Sequence, residues 1–362
     1  MSTQIGEQAL PRAAAKEAKT PGLKPEVEVA CVVCGGNTFE IICSAHEIEV
    51  QREYLRAFHR RRLRPEAPPS ALADRAEFTQ DYSTNVEACR SCGLVLRNPR
   101  PSRKAIFLAY RRDHYGPERL QSLFEAQLEW ERPRARALRR WLPSGARVAE
   151  VGSFVGGFLA AGREQGWEML GVDPGEEVDD FCARHGLPVF KGTLDEAPLL
   201  PASLDCVAIW NTFDQMPDPH PTLRAARRLL HPGGLLAVRV PNGRCFRACT
   251  HWLRRARHTP LRPLAAWLLC AMAWNNLLAF PYLYGYSVPT LDRLLARYGL
   301  ERVGARGDTL VRLADAQTKR WAAWEERLSK AAFHLAARME ALHPRCQFTL
   351  APWLDVLYRL PA

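Results

Sequence analysis

The sequence predicts an α/β fold on a mostly parallel sheet, preceded by a small cysteine-bearing module. Three observations predict it. Between Arg147 and Val240, short apolar runs alternate with helix-patterned stretches, as in successive βα units. A Gly-rich turn, Gly152-Ser-Phe-Val-Gly156-Gly157, joins the first run to its helix. Ahead of both, Cys31/Cys34 and Cys89/Cys92 form two Cys-x-x-Cys pairs, each followed directly by glycine. Together these describe a Rossmann-like sheet behind a ribbon-like module.

Bulk properties narrow the class. A chain of 362 residues, 47% hydrophobic and 25% charged, has room for one large domain and a smaller one. Its formal charge of +11 lies largely in arginine clusters and suits nucleic acid, an anionic membrane surface or an acidic small substrate. Residues 1–27 are polar and Ala/Lys/Pro-rich without an apolar core, so a disordered tail is expected there and no secretory signal is read. Eleven cysteines, an odd and scattered set, suit a reducing compartment, and a cytoplasmic location is expected.

The elements follow in order. Four thiolates from Cys31, Cys34, Cys89 and Cys92 suit one closed tetrahedral Zn2+ site, structural rather than catalytic. The 54 residues between the pairs must loop out, and Glu47 to Leu63 within them reads as an Arg-rich helix. Cys43 and His46 are spare ligand candidates, and buried free thiols are the alternative to a metal site. Phe124 to Trp141 reads as a basic amphipathic helix leading to the sheet. Val148 to Val151 is the first strand, with a helix from Phe158 closed by Gly166, and a second strand ends on Val172-Asp173. Backbone N–H groups and a helix N-terminus at such a turn favour a ligand at the carboxyl edge of the sheet. Asp173, ~20 residues on, is placed to accept from both hydroxyls of a ribose. The glycine spacing is not that of a pyrophosphate binder, and Glu150 would repel a pyrophosphate yet favour a cationic ligand.

Beyond Asp173 the alternation continues: helix 176–185, strand 187–190, turn 192–195, strand 203–210, helix 221–230, turn 231–234 and strand 235–240. Arg244 to Arg257 reads as a helix with Cys245, Cys249, Trp252, Leu253 and Ala256 on one face. Leu264 to Trp274 is an uncharged run of eleven residues, too short to span a bilayer. It reads either as a buried helix or as part of a lid, 244–286, making peripheral contact with the inner face of a membrane. Segments 300–310 and 352–360 read as the last strands. Between them Trp321, Trp324, Leu328, Leu335, Met339 and Leu342 follow helical spacing and predict a long helix packed on the sheet.

The Gly turn resembles motif I of the class I S-adenosylmethionine-dependent methyltransferases, (D/E)xGxGxG. Glu150, Gly152 and Gly156 match, and Phe154 stands where the middle glycine belongs. Asn98-Pro99-Arg100-Pro101 after the second Cys pair, with Tyr110 and Tyr115 beyond, resembles the zinc-ribbon sugar C-methyltransferase group. The Leu283-Tyr284-Gly-Tyr286 pattern resembles that group as well, and the His231-Pro-Gly-Gly turn before an apolar strand resembles another mark of the class. The resemblance implies a seven-stranded sheet over 142–362 with a lid insertion at 243–287, a zinc ribbon with a helical insertion at 28–100 and a helical cap at 101–141. It implies S-adenosylmethionine held by Glu150, Gly152, Phe154, Gly156, Asp173, Leu194, Asp195 and Asn211. It places Tyr110, Tyr115, Tyr284 and Tyr286 near the acceptor. Asp214 is the candidate base, because Gln215 occupies the place of a histidine. The expected acceptor is a small molecule, a sugar, lipid or secondary-metabolite intermediate, methylated at carbon or oxygen.

Two rivals stand beside this reading. An RNA methyltransferase would suit the charge, but the (N/D)PPY of amino-group methylation on bases is missing after the fourth strand, so nucleic acid is not the expected partner. A catalytically inactive binding protein of the same fold would explain Phe154 and Gln215.

Overall fold

The computed structural model describes residues 23–111, 115–256, 259–343 and 346–362. Most of the expected tail, 1–27, therefore lies outside the described residues. Val27 already belongs to the folded body, since its N–H and C=O both pair with Arg100.

The cysteine module is a small antiparallel sheet. Its first three strands are β1 (Phe39–Cys43), β2 (Val86–Cys89) and β3 (Val95–Arg97). The looped-out stretch forms α1 (Ala45–Arg62) and α2 (Pro69–Ala76). Ser44 starts α1 by a capping box: it accepts from the Glu47 N–H, and the Glu47 carboxylate accepts from the Ser44 N–H. After the Asn98-Pro99 cis peptide come α3 (Arg103–Arg111) and α4 (Pro117–Leu138). The second of these begins seven residues before the expected 124, because Pro117 after Gly116 is pre-set for the first helical position.

The large sheet is built as anticipated. Its elements are β4 (Arg147–Val151), α5 (Gly157–Arg163), β5 (Glu168–Asp173), α6 (Glu176–Arg184), β6 (Val189–Lys191), β7 (Leu204–Trp210), α7 (His220–Leu229) and β8 (Leu230–Pro241). Residues 231–234 bulge out of β8 where its pairing with β7 shifts register. Then follow α8 (Gly243–Ala256), α9 (Arg262–Trp274), β9 (Tyr284–Gly285), α10 (Val288–Leu295), β10 (Glu301–Asp308), α11 (Arg320–Ala341) and β11 (Trp353–Arg359). The seven strands lie in the order β10-β11-β8-β7-β4-β5-β6, with β11 antiparallel to both its neighbours. Between β4 and β7 the order reverses direction, which opens a crevice at their carboxyl ends.

Two expectations about the insertion and the last helix need correction. The insertion is not a free lid, because β9 pairs with β3 and becomes the fourth strand of the cysteine module's sheet. The backbones cross so closely that a Cβ on Gly243 would lie 2.2 Å from the Gly285 carbonyl oxygen. Arg97, fully buried, donates to the carbonyls of Tyr82, Ala279 and Phe280 and pins the segment from below. Helix α9 divides the two readings of its apolar run: Cys270 to Trp274 are buried, whereas Leu264 and Trp267 are exposed. Helix α11 turns its predicted face the wrong way. Trp321, Trp324, Leu328, Leu335, Met339 and Leu342 all face solvent, and the buried residues include Ala322, Glu326, Ser329, Lys330 and Phe333. Spacing fixes which residues share a face but not which face meets the sheet, and here Glu326 must accept from the Leu313 and Ala314 N–H groups.

Among the described residues no helix is long and apolar enough to cross a membrane.

Candidate functional site

The crevice opens into a cavity of about 740 Å³, bounded by the ends of β4, β5 and β7 and covered by α3. The size falls within the ~300–1,000 Å³ of small-molecule sites. Its floor is the Gly turn. Gly152 has φ +74°, and a Cβ there would meet Thr212 Oγ1 at 2.3 Å, so the turn can approach the loop after β7 only as glycine. Phe154 adopts φ +46° at the place of the motif's middle glycine, with its ring edge-on to Tyr115 at 5.3 Å. Asp173 ties the turn to β5: one carboxylate oxygen accepts from the Phe154 N–H and the other from the Gly175 N–H, each at 2.8 Å. Burial raises its pKa, and those two N–H groups oppose the rise.

Six of the eight expected cofactor residues line this cavity: Gly152, Phe154, Asp173, Leu194, Asp195 and Asn211. Asn211, at φ +56°, is held by the buried Arg239, whose Nε donates to its Oδ1 at 3.1 Å. Arg239 itself is fixed by Asp308 and Asp355 at 2.7 and 2.5 Å. Gly156 and Glu150 sit behind the wall. Gly156 caps α5 without a side chain, and Gln127 of α4 replaces the missing cap by accepting from the Gly157 N–H at 3.0 Å. Glu150 is wholly buried; burial first, then neighbouring Glu131, pushes its pKa well above the carboxylate range against the pull of Arg134. Its carboxyl lies off the cavity wall and does not face a ligand directly.

Of the expected acceptor residues, Tyr110 and Tyr115 are on the wall, while Tyr284 and Tyr286 are not. Pairing through β9 buries both of the latter completely. They act as a prop: the Tyr284 hydroxyl accepts from Arg100 at 2.6 Å and donates to the Pro217 carbonyl at 3.0 Å, so Arg100 of the Asn-Pro-Arg-Pro stretch reaches the loop after β7. Asp214, expected as the base, is also buried and off the wall. The loop forms a 3-10 turn, Phe213–Gln215, in which successive side chains diverge by about 120°. Phe213 and Asp214 point inward and Gln215 outward. The Asp214 carboxyl accepts from Gln215 Nε2 at 3.0 Å, and burial raises its pKa to about 7.

Tyr110 and Gln215 on the wall form a chain with Gln80 buried behind them. Gln80 Nε2 donates to the Tyr110 hydroxyl at 3.2 Å, which donates to Gln215 Oε1 at 3.1 Å. Gln215 Nε2 also donates to the Pro281 carbonyl at 3.1 Å. Sequence reasoning missed Gln80, Gln127 and Thr212. Gln127 left one signal, a helix starting on Gly156-Gly157 with no capping side chain of its own.

In the cysteine module the sulfurs of Cys31, Cys34, Cys89 and Cys92 lie within 4.8 Å of one another. Tetrahedral Zn–S bonds of ~2.3 Å place sulfurs ~3.8 Å apart, and the Cys31–Cys92 and Cys34–Cys89 pairs stand at 3.5 Å. Backbone N–H groups of Val33 and Cys34 point at the Cys31 sulfur, and that of Leu94 at Cys92. The set fits a structural metal. Cys43 is elsewhere, buried and accepting from Gln51, and His46 is not part of the four-sulfur cluster.

The sequence profile of the methyltransferase domain family matches residues 123–304, half of the chain. The chain belongs to that family. The matched methyltransferase domain covers β4 to β8, the whole insertion and the start of β10. Ubiquinone biosynthesis O-methyltransferase of Xylella fastidiosa is 29% identical over 160 residues, which cover 41% of this chain and 62% of that protein's length. An S-adenosylmethionine-dependent methyltransferase of Thermotoga maritima superposes with TM-score 0.43 at 17% identity, over 70% of this chain and 99% of that one. Geranyl diphosphate C-methyltransferase of Streptomyces coelicolor A3(2) gives 0.41 at 15%, over 70% and 89%.

Proposed function

We propose that the protein transfers a methyl group from S-adenosylmethionine to a small-molecule acceptor. The observation that carries the proposal is the tie between Asp173 and the Gly turn on the cavity wall. A carboxylate so held is pre-aimed, and both its oxygens keep lone pairs for ribose hydroxyls. Gly152 allows close backbone approach, Gly156 shapes the turn from behind the wall, Leu194 and Asp195 meet the adenine, and Asn211 and Phe154 close the sides. When bound, the cofactor supplies an electrophilic methyl group on a sulfonium.

The chain's own residues position the acceptor. Tyr110 and Gln215 present a fixed hydroxyl and amide to the cavity, and Asp214 acts through Gln215 as a positioning residue. Ile106, Phe107 and Met216 make the same cavity apolar, which suits a lipid-like or secondary-metabolite acceptor; a sugar is the more polar member of the same class. A relative named for ubiquinone biosynthesis supports a small-molecule acceptor. The four cysteines hold one Zn2+ as the mark of the zinc-ribbon group, and the metal is structural.

Titration calorimetry with S-adenosylmethionine tests the reading. Asp173→Ala should weaken binding by about 1.5–3 kcal/mol, the scale of a charged hydrogen bond, and Gly152→Arg should abolish it. Wild-type affinity in both variants would overturn the assignment.

A further inference from the structure

Nine of the fifteen large hydrophobic residues exposed among the described residues belong to α9, α11 and their caps. On α11 the pattern is the inverse of a core helix. Its inward face carries mainly small, polar and charged groups, with Phe333 its one large apolar side chain, while the six apolar residues from Trp321 to Leu342 stand 47–86% exposed along one stripe. A stripe of that length facing water marks an interaction surface.

The charges around it decide the partner. Arg320, Arg327 and Arg338 run along one flank at helical spacing, all exposed, and Arg327 lies over the Trp324 ring at 5.1 Å. No acid of the helix offsets them. Glu325 accepts from Arg62 and Trp274, Glu326 is buried against Lys330, and Glu340 accepts from the Thr349 and Leu350 N–H groups. The exposed face is thus apolar and cationic only, on a chain of formal charge +11. A second copy would bring two rows of unpaired arginines into one seam, whereas lipid phosphates neutralise them while Trp and Leu enter the acyl boundary.

We propose that the outer face of α11 docks on an anionic phospholipid surface, with Leu264 and Trp267 of the adjoining α9 as a second apolar contact. The docking surface moves from the expected 244–286 mainly to 320–342, because most of the former is buried. This inference does not depend on methyl transfer.

Flotation of the full chain with vesicles tests it. Binding is expected to phosphatidylcholine mixed with phosphatidylglycerol, with loss in high salt and little binding to phosphatidylcholine alone. The double variant Trp324→Glu/Leu328→Glu, and separately Arg320→Glu/Arg338→Glu, should lower binding by on the order of tenfold or more, with an unchanged melting temperature. No binding by the wild type, or undiminished binding by folded variants, overturns the proposal. So does a concentration-dependent dimer in light scattering that Trp324→Glu/Leu328→Glu dissolves, since a second copy then covers the face.

Discussion

Asp214 shows how one side chain couples the site to stability. Burial dominates its raised pKa, and its own backbone N–H, the Gln215 amide and Arg239 oppose the rise. With a folded value of about 7 against ~3.9 unfolded, the carboxyl costs nothing below about pH 4, where both states hold the proton. As pH rises toward 7 the unfolded chain ionises and the folded chain does not, so stability is lost through that window and the loss is complete above it. Asp214→Asn keeps an acceptor for Gln215 without the charge. Its melting temperature should exceed the wild type's at pH 8, by roughly 1–4 kcal/mol in stability, with the gap closing toward pH 4.5. A gap independent of pH would mean that Asp214 is not the titrating group. At this scale the glycines and Asp173 were legible, because their chemistry fixes their place. The inward turn of Asp214 was not, since a loop sequence does not reveal which of three consecutive side chains faces a cavity.

At the scale of elements, strands and helices of the large sheet were legible from period and punctuation, and the errors lie where orientation depends on partners. The helical spacing of 321–342 correctly gave one apolar face, and only the loop at 309–318, with its backbone N–H groups turned to Glu326, decided that this face points outward. The two-residue strand β9 carries too little pattern to be seen at all. Its place rests on Arg97, whose guanidinium satisfies three carbonyls out of reach of water. Arg97→Met should orphan all three and cost roughly 3 kcal/mol or more, measurable by urea denaturation. Lys in its place, a point charge with different geometry, should recover only part of that loss. A variant within ~0.5 kcal/mol of the wild type would show that β9 is held by its apolar packing instead.

For the whole molecule, the order of modules was legible and their joining was not. The cysteine module reaches the cavity by two routes: β3 pairs with β9, and Arg100 with Tyr284 holds the Pro217 carbonyl in the loop after β7. Metal in the four-sulfur cluster should therefore support more than its own residues. Purified protein is expected to carry about one zinc per chain, and Cys89→Ser should lose it. Hydrogen exchange on that variant should then show lost protection over 31–43 and 86–97, and also over 277–286 and 213–217. Strands β4, β5 and β7, which form their own parallel core, should stay protected. S-adenosylmethionine should still bind, because the Gly turn and Asp173 belong to that core, whereas an acceptor resting on Tyr110 and Gln215 should bind less well. Loss of protection confined to 31–43 and 86–97 would show that the ribbon is an appendage, and that β9 and the cavity loop stand without it.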